Sequence, residues 1–561
     1  MRIAVQGCAH GELERVYGTL AEVERRTGVR TDLLVCCGDF QAARDARDME
    51  SMAVPPKYRR MGSFYKYYTG ELVAPVLTLF IGGNHEASAH LQELSYGGWA
   101  APGIYYLGTA GVVNVGGVRI AGLSGIYKGG DYARGRHERP PYDERTKRSV
   151  YHVRQLDVFR LKQLREPVDV MLSHDWPQGI EQHGDLGQLL RFKPFFQNDI
   201  DEGKLGNPPA RELLNILRPT YWFSAHLHCK YAAVVDHSSD DDQMRKQTKF
   251  LSLDKCLPGR RFLQVLDIAH DASGPIRLQY DAEWLAVLRS TNGLLNVNSN
   301  VYYLPSGGGA AAGGPSSFDG ERYDFSPSPQ ERSAVLGLFD DGSLAIPENF
   351  VSNDAYRRGV GVGAAAAATT NPQTEAFCRL LGVDDPLALV LGGRRRAESG
   401  GPTAADRLFA AFDDDYSMIP DDDDDYSKNP DDDDGDGVVV VQRNSTSLVL
   451  PEPKNDRSED ASCAERNRPP VWTPPPPPDA KNDENSPPES DCRHVEKDES
   501  SRCRSDALTG GGSGGDGDDA EIARVVGSRR EDEAVGRERI EPKTLKRRNY
   551  HREDDGGGGS D

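Results

Sequence analysis

The sequence predicts an α/β fold, and three observations carry that expectation. Short apolar runs alternate with amphipathic ones through residues 1–270. The first helical pattern lies between two such runs, which is a β-α-β opening. Run after run then ends in glycine beside histidine, aspartate or asparagine, as strands do where their carboxyl ends carry a site. At 561 residues the chain also exceeds what one core usually organises, so more than one unit is expected.

Ile3–Val5, Leu33–Cys36, Val76–Ile81, Val118–Leu123, Val168–Leu172 and Tyr221–Phe223 are short, often β-branched and bounded by Gly, Asp or Pro. They predict buried strands. Between the first two, Glu12–Arg26 sets Leu13, Val16, Leu20 and Val23 along one helical face. The pattern continues through Phe262–Leu288, so order is expected to about residue 298. Gly307–Gly314 and Ala364–Ala368 read as inserts without a core to join, and Asn371–Val383 regains helical character. From about residue 395 complexity collapses. Asp413–Asp436 holds thirteen aspartates and a near-repeat, DDDYS-x-x-P, and Pro474–Pro478 is a proline run. Such a stretch buries too little apolar surface to offset its ordering entropy, so disorder is expected there.

Charge divides the same way. Residues 1–300 carry 37 Lys and Arg against 35 Asp and Glu, while residues 301–561 carry 30 against 53 and hold nearly all of the formal −21. The aspartate runs read as solubilising, or as a mimic of nucleic acid. The cluster Lys543–Arg548 has the composition of a nuclear import signal. No run approaches the roughly 18 apolar residues of a membrane span, and the amino terminus lacks the apolar stretch of a signal peptide. Nine cysteines, odd in number and including the adjacent pair Cys36-Cys37, suit reduced thiols in the cytosol or nucleus.

Five strand ends carry the chemistry. They are Gly7-Cys8-Ala9-His10, Gly38-Asp39, Gly83-Asn84-His85-Glu86, Ser173-His174-Asp175 and His226-Leu227-His228. Any one of them could be an ordinary core or capping residue, but together they form a ligand set. It suits two metal ions about 3.5–4 Å apart. Asp39 is the candidate bridge, Cys8, His10 and His228 are candidates for one ion, and Asn84, His174 and His226 for the other. On an extended segment His226 and His228 share a face, so one pair could serve both ions. His85 is needed by neither set and is free to act as general acid. His90, His137, His183, His237 and His270 match no ligand position.

This set resembles the calcineurin-like metallophosphoesterases. CCGDFQAARD, MAVPPKYR, LFIGGNHEAS, LQELSYGGWAAPGIYYLG, SHDWP, PTYWFSAHLH and FLSLDKCLP are similar, more narrowly, to the RNA lariat debranching enzymes. The resemblance covers about residues 1–290, and NPQTEAFCRLLGV at 371–383 resembles that family's C-terminal domain resuming. It implies a sandwich of two β-sheets flanked by helices over 1–265, a smaller C-terminal domain over 266–390, and the acidic tail over 391–561. Cys8 stands where most of the superfamily has aspartate. Thiolate favours iron or zinc over magnesium, and the resemblance implies two divalent ions, Fe2+, Zn2+ or Mn2+.

The resemblance further implies a nuclear enzyme that hydrolyses the 2′–5′ phosphodiester at an intron branchpoint, with branched lariat intron RNA as partner. Spliceosome-disassembly or import partners for the tail are a further expectation. Ser124–Arg154 corresponds to the lariat-recognition loop. It carries eight cations against four acids, with Tyr127, Tyr132, Tyr142 and Tyr151 among them, a combination that holds unstacked RNA. Lys128, Tyr132, Arg148, Tyr151 and His152 are the candidate substrate contacts. The alternatives are a phosphatase of phosphoproteins or nucleotides, against which Cys8 and the basic loop argue, and a non-catalytic RNA-binding scaffold.

Overall fold

A computed structural model describes residues 1–237, 246–305, 317–318, 321–322, 324–339, 342–352 and 369–395. The glycine and alanine inserts expected at 307–314 and 364–368, the aspartate repeats and the basic cluster at 543–548 lie outside the described residues.

Alternation along the strands builds two layers. In β1 (Arg2–Gln6) and β2 (Leu33–Cys36), Ile3, Val5, Leu33 and Val35 face one way, while Ala4, Leu34 and Cys36 face the other. The second set packs on Leu13, Val16 and Leu20 of helix α1 (Leu13–Thr27), close to the expected face. The first set meets Ile120, Val170, Leu172 and Phe223, which come from β7 (Val118–Leu123), β8 (Val170–Ser173) and β9 (Tyr221–Ser224) of a second sheet. On that sheet's far face Met171 and Trp222 pack against Leu213 and Leu214 of the helix Pro208–Leu217. The result is a sandwich of two sheets covered by helices on both sides.

Among the described residues the first sheet has six strands and the second seven. In the first, β1, β2 and β3 (Thr78–Phe80) run parallel. In the second, β7, β8 and β9 do the same. Every candidate loop therefore leaves the carboxyl end of a parallel strand. β3 is shorter than the apolar run Val76–Ile81, although Leu77 O accepts from Leu34 N at 2.9 Å and Ile81 N donates to Cys36 O at 3.2 Å on its flanks.

Residues beyond 262 complete both layers. Leu263–Asp267 adds antiparallel to β1, and Leu278–Tyr280 adds antiparallel to the strand Ala110–Val115. The helix Pro372–Leu381, where helical character was expected, sends Cys378 and Leu381 into the core that holds Trp222. Its Gln373 side chain accepts from Trp99 N at 2.9 Å and donates to Trp99 O at 3.0 Å. The segment expected as a C-terminal domain thus shares sheets and core with the first 262 residues. Cys8, Cys36, Cys37, Cys229, Cys256 and Cys378 are all buried. No described helix is long and apolar enough to cross a membrane.

One buried ion cluster ties this later segment on. Arg119 of β7 donates to both Asp281 oxygens at 2.8 Å and to Glu283 Oε2 at 2.7 Å. Asp281 also caps the helix Ala282–Ser290 by accepting from Trp284 N. Replacing Arg119 with Ala strands two acids away from water, so Arg119→Ala should cost about 3–5 kcal/mol. A denaturant titration of the full chain should show the midpoint falling accordingly, and an unchanged midpoint would mean the cluster is not what joins the segment.

Candidate metal centre

Five loops meet where the parallel strands end, and the backbone there is held in unusual conformations. His10, Asp39, Gln41, His226 and His228 all have positive φ, between 44° and 63°. A non-glycine residue in this left-handed region costs of order 1–3 kcal/mol and persists only when its surroundings hold it there. Among the described residues only one other non-glycine, Arg218 at a helix end, has positive φ.

Asp39 stands at the centre, 1% exposed. Its Oδ2 faces His10 Nε2 at 3.7 Å and its Oδ1 faces His174 Nε2 at 3.2 Å. Burial alone would lift its carboxyl, but His174, His85 and His10 outweigh burial and hold it well below the usual carboxylate range. One side of Asp39 gathers donor atoms of Cys8, His10 and His228, all within 4.8 Å of one another. His10 Nε2 lies 3.4 Å from His228 Nε2. On the other side His174 Nε2 lies 3.2 Å from Asn84 Oδ1, and the His226 ring centroid is 5.0 Å from that of His174.

Proton positions fit cation binding. His174 Nδ1 lies 2.7 Å from the Cys37 carbonyl, which can only accept, so Nδ1 carries hydrogen and Nε2 is the ring atom turned to the centre. Burial would lower this ring's pKa, but the Asp39 charge outweighs burial and pushes it up, so a cation there would take the place of a proton on Nε2. Burial holds His226 down to about 3, His10 down to about 4 and His228 well below the usual value, so these imidazoles are neutral, as ligands must be. Burial and then the Asp39 charge push the Cys8 thiol well up, and only a cation beside its sulfur would make it a thiolate ligand. Neutral imidazoles, a buried carboxylate shared between two groups and a cysteine sulfur are the donors a divalent transition metal takes.

Glycine makes the approach possible. A Cβ on Gly83 would lie 2.5 Å from Asp39 N and 2.7 Å from His174 Cε1. One on Gly38, whose φ is +100°, would strike the His174 ring.

The His226–His228 segment departs from the sequence expectation. It is bent rather than extended, because the chain turns as soon as β9 ends: His226 N donates to Cys8 Sγ at 3.3 Å and Leu227 N to Ala225 O at 2.7 Å. The two rings reach opposite sides of Asp39 by this bend, not by strand alternation. His85 lies half-exposed at the rim. Its backbone N–H donates to Asp39 Oδ1 at 2.8 Å, and its ring meets His10 edge-on with centroids 5.2 Å apart.

The segment 124–154 begins beside the centre, where Gly125 N donates to Gly82 O at 2.9 Å. Tyr151 lines a cavity of about 50 Å³ with Gly82, Gly83 and Glu86. Lys128 is half-exposed, Arg148 is exposed, and Tyr132 packs edge-on to Tyr127. His152, expected as a substrate contact, is instead buried with Nδ1 2.7 Å from Asp131 Oδ2. Arg136 pairs with Asp157, and Arg154 with Glu138, each at 2.5 Å. These groups fasten the loop from inside.

Glu86 is the residue the sequence reading passed over. Its carboxylate accepts from Phe40 N at 2.7 Å and from Gln41 N and Gly83 N at 2.9 Å, so it ties the Asp39 loop to the Asn84 loop. Burial and the nearby Asp39 push it up to about 7. An acid directly after Asn84-His85 was the available signal.

Comparison with known proteins agrees with this geometry. Residues 1–230 match the calcineurin-like phosphoesterase family, and residues 245–386 match the C-terminal domain of the lariat debranching enzyme. Three relatives, from Drosophila melanogaster, Homo sapiens and Arabidopsis thaliana, are named lariat debranching enzyme. The first is 53% identical over 434 residues, 70% of this chain and 79% of the relative. The human protein is 52% identical over 388 residues, 69% of this chain and 70% of its own. The plant protein is 57% identical over 294 residues, 52% of this chain and 69% of its own.

Gly83→Ala should force Asp39 and His174 apart while leaving the sheets intact. Metal affinity should fall roughly 10–100-fold, the range typical for disturbed ligand support. Titration of apo-protein with Mn2+ checks this, and unchanged affinity would place the metal elsewhere.

Proposed function

The chain belongs to the lariat debranching enzyme family, and from that premise we propose that it hydrolyses the 2′–5′ phosphodiester at the branchpoint of excised intron lariats, using two divalent ions. The observation that carries the reading is the split of Asp39, one oxygen toward His10 and one toward His174. Cys8, His10 and His228 with Asp39 would hold one ion, and Asn84, His174 and His226 with Asp39 the other. Fe2+, Zn2+ or Mn2+ suits these donors. Bound there, the ions supply Lewis acidity to the phosphoryl oxygens and lower the pKa of a water toward neutrality.

The chain's own groups do the rest. His85, half-exposed at the rim and oriented through its backbone bond to Asp39, holds a proton for the departing 2′-oxygen. Water adds its oxygen to phosphorus, the bond from phosphorus to the branch adenosine 2′-oxygen breaks, and a 5′-phosphate remains on the linear RNA. Lys128, Arg139, Arg145 and Arg148 form no ion pair among the described residues, so they face the RNA backbone from the loop, with Tyr127, Tyr132 and Tyr151 beside them for bases. We further propose a nuclear location, with Lys543–Arg548 as the import signal and the tail as the site of any spliceosome-disassembly or import partner. Fused to a fluorescent protein, the full chain should concentrate in nuclei and a chain lacking 391–561 should spread to the cytoplasm; equal distribution would remove this assignment.

The deciding assay offers 2′–5′ branched RNA beside p-nitrophenyl phosphate, and preference for the monoester would overturn the reading. Strong chelation should abolish turnover of the branched substrate, and added Mn2+, Zn2+ or anaerobic Fe2+ should restore it. His85→Ala should keep its metal content and lose roughly 10²–10⁴-fold in kcat. Loss of metal in that variant would make His85 a support of the ligands instead.

A further inference from the structure

One basic segment has no role in the site as described. From Ser51 to Gly70 the chain has no acidic residue and four cations, Lys57, Arg59, Arg60 and Lys66. Lys66 is neutralised by Glu14 at 2.6 Å. Lys57 and Arg60 are exposed and form no ion pair among the described residues. Tyr58 between them is 47% exposed, with the Lys57 ammonium 4.6 Å from its ring centre. A solvated tyrosine in an acid-free basic stretch is an unusual surface.

The segment is held rigidly and close to the metal centre. Pro55 and Pro56 lead into a single turn, Pro56–Tyr58. Arg59 clamps that turn from below, donating to Val54 O at 2.7 Å and Met52 O at 3.2 Å. The Arg60 carbonyl accepts from the Gln41 side chain, two residues past Asp39. Ser63 N donates to Gly11 O at 2.8 Å, directly after His10, and Gly62 has backbone contact with Gly11. On its other side the segment approaches the loop 124–154: Glu144 there is held low by Lys147 first, with Arg59 contributing. The strap thus spans from the metal centre toward the recognition loop.

We propose that this strap, residues 55–62, is a second RNA-binding element, with Lys57 and Arg60 engaging phosphates of an unpaired strand and Tyr58 stacking on one of its bases. The inference rests on the debranching reading and names how that site grips an arm of its substrate. Cations plus an exposed aromatic face, on a prearranged turn, are what an unpaired strand needs. A compact helical duplex would hide its bases from Tyr58, so the strand is single.

The test uses the full chain. Binding of a labelled unpaired RNA oligonucleotide is measured by anisotropy over a range of salt, and turnover is measured on branched RNA. The double variant Lys57→Ala, Arg60→Ala should flatten the slope of log affinity against log salt by about 1.4, which is about 0.7 for each of two phosphates on a single strand. It should raise KM for branched RNA roughly tenfold, with kcat and metal content unchanged. Tyr58→Ala should weaken binding about tenfold with the slope intact, and Tyr58→Phe should restore it. An unaltered slope and KM in the double variant overturn the proposal. So does loss of binding to a poly-aspartate peptide alone, since the occupant would then be an acidic protein segment. If the wild-type chain itself fails to open branched RNA, the debranching reading falls, while the oligonucleotide arm still decides the strap.

Discussion

The structure depends on one buried anion with two sides. Asp39 is withdrawn from water at the end of β2, and an isolated carboxylate there would be costly. Its cost is met by converging imidazoles and by the backbone N–H of His85. Neutral imidazoles give only lone pairs and partial charge. A carboxylate, the lowered rings of His10, His226 and His228 and a thiol sulfur therefore make a cluster rich in acceptors, and positive charge is what it draws. Divalent cations are the natural complement, and the carboxylate's two oxygens, each aimed at a different ring, set where they would sit.

Holding that cluster has a structural cost, which the fold spreads over many contacts. Five non-glycine residues are kept in left-handed backbone conformations within a few residues of one another in space. They stay there because each is flanked by a strand locked into a buried sheet, with Ile3, Val35, Leu172 and Phe223 on the inner face. Glu86 adds the cross-link that the strands cannot, three backbone N–H groups on one carboxylate. Two sheets with parallel centres, both presenting carboxyl ends at the same edge, are what allow residues as distant as His10 and His228 to come within 3.4 Å.

The strands and the ligand set were legible for a shared reason. Strands buried on both faces are largely apolar, so Leu33–Cys36 stands out, as does Val118–Leu123 apart from its ion-paired Arg119, and glycine leads into the metal-binding side chains after β1, β2 and β3. The antiparallel edges were not legible in the same way. Leu263–Asp267 continues the apolar pattern, but its partner β1 lies more than 250 residues away, so nothing local announces the pairing. The bend at His226–His228 was also hidden. Alternation arguments assume extended backbone, and only the bonds from His226 N to Cys8 Sγ and from Leu227 N to Ala225 O break that assumption. His152 was misplaced for a different reason: its partner, Asp131, sits twenty-one positions earlier, and burial of the pair depends on how the loop folds back on itself.

Net charge misled in an instructive way. The loop 124–154 sums to four positive charges, but a sum does not distinguish a cation that faces solvent from one that fastens the loop. Arg136 and Arg154 are of the second kind, spent on Asp157 and Glu138 in the interior. Lys128, Arg139, Arg145 and Arg148 are of the first kind. The same sorting applied to residues 51–70 removes Lys66, paired with Glu14, and Arg59, pinned to two carbonyls, and leaves Lys57 and Arg60. What remains after sorting is a set of unpaired cations on the strap and on the loop 124–154, near a centre built around a buried carboxylate. A polyanion is drawn to such a set and held by its backbone, whereas a small phosphomonoester would reach the metal centre without touching most of it. The distribution of unpaired charge, more than its total, is therefore what fits this centre to a long nucleic acid.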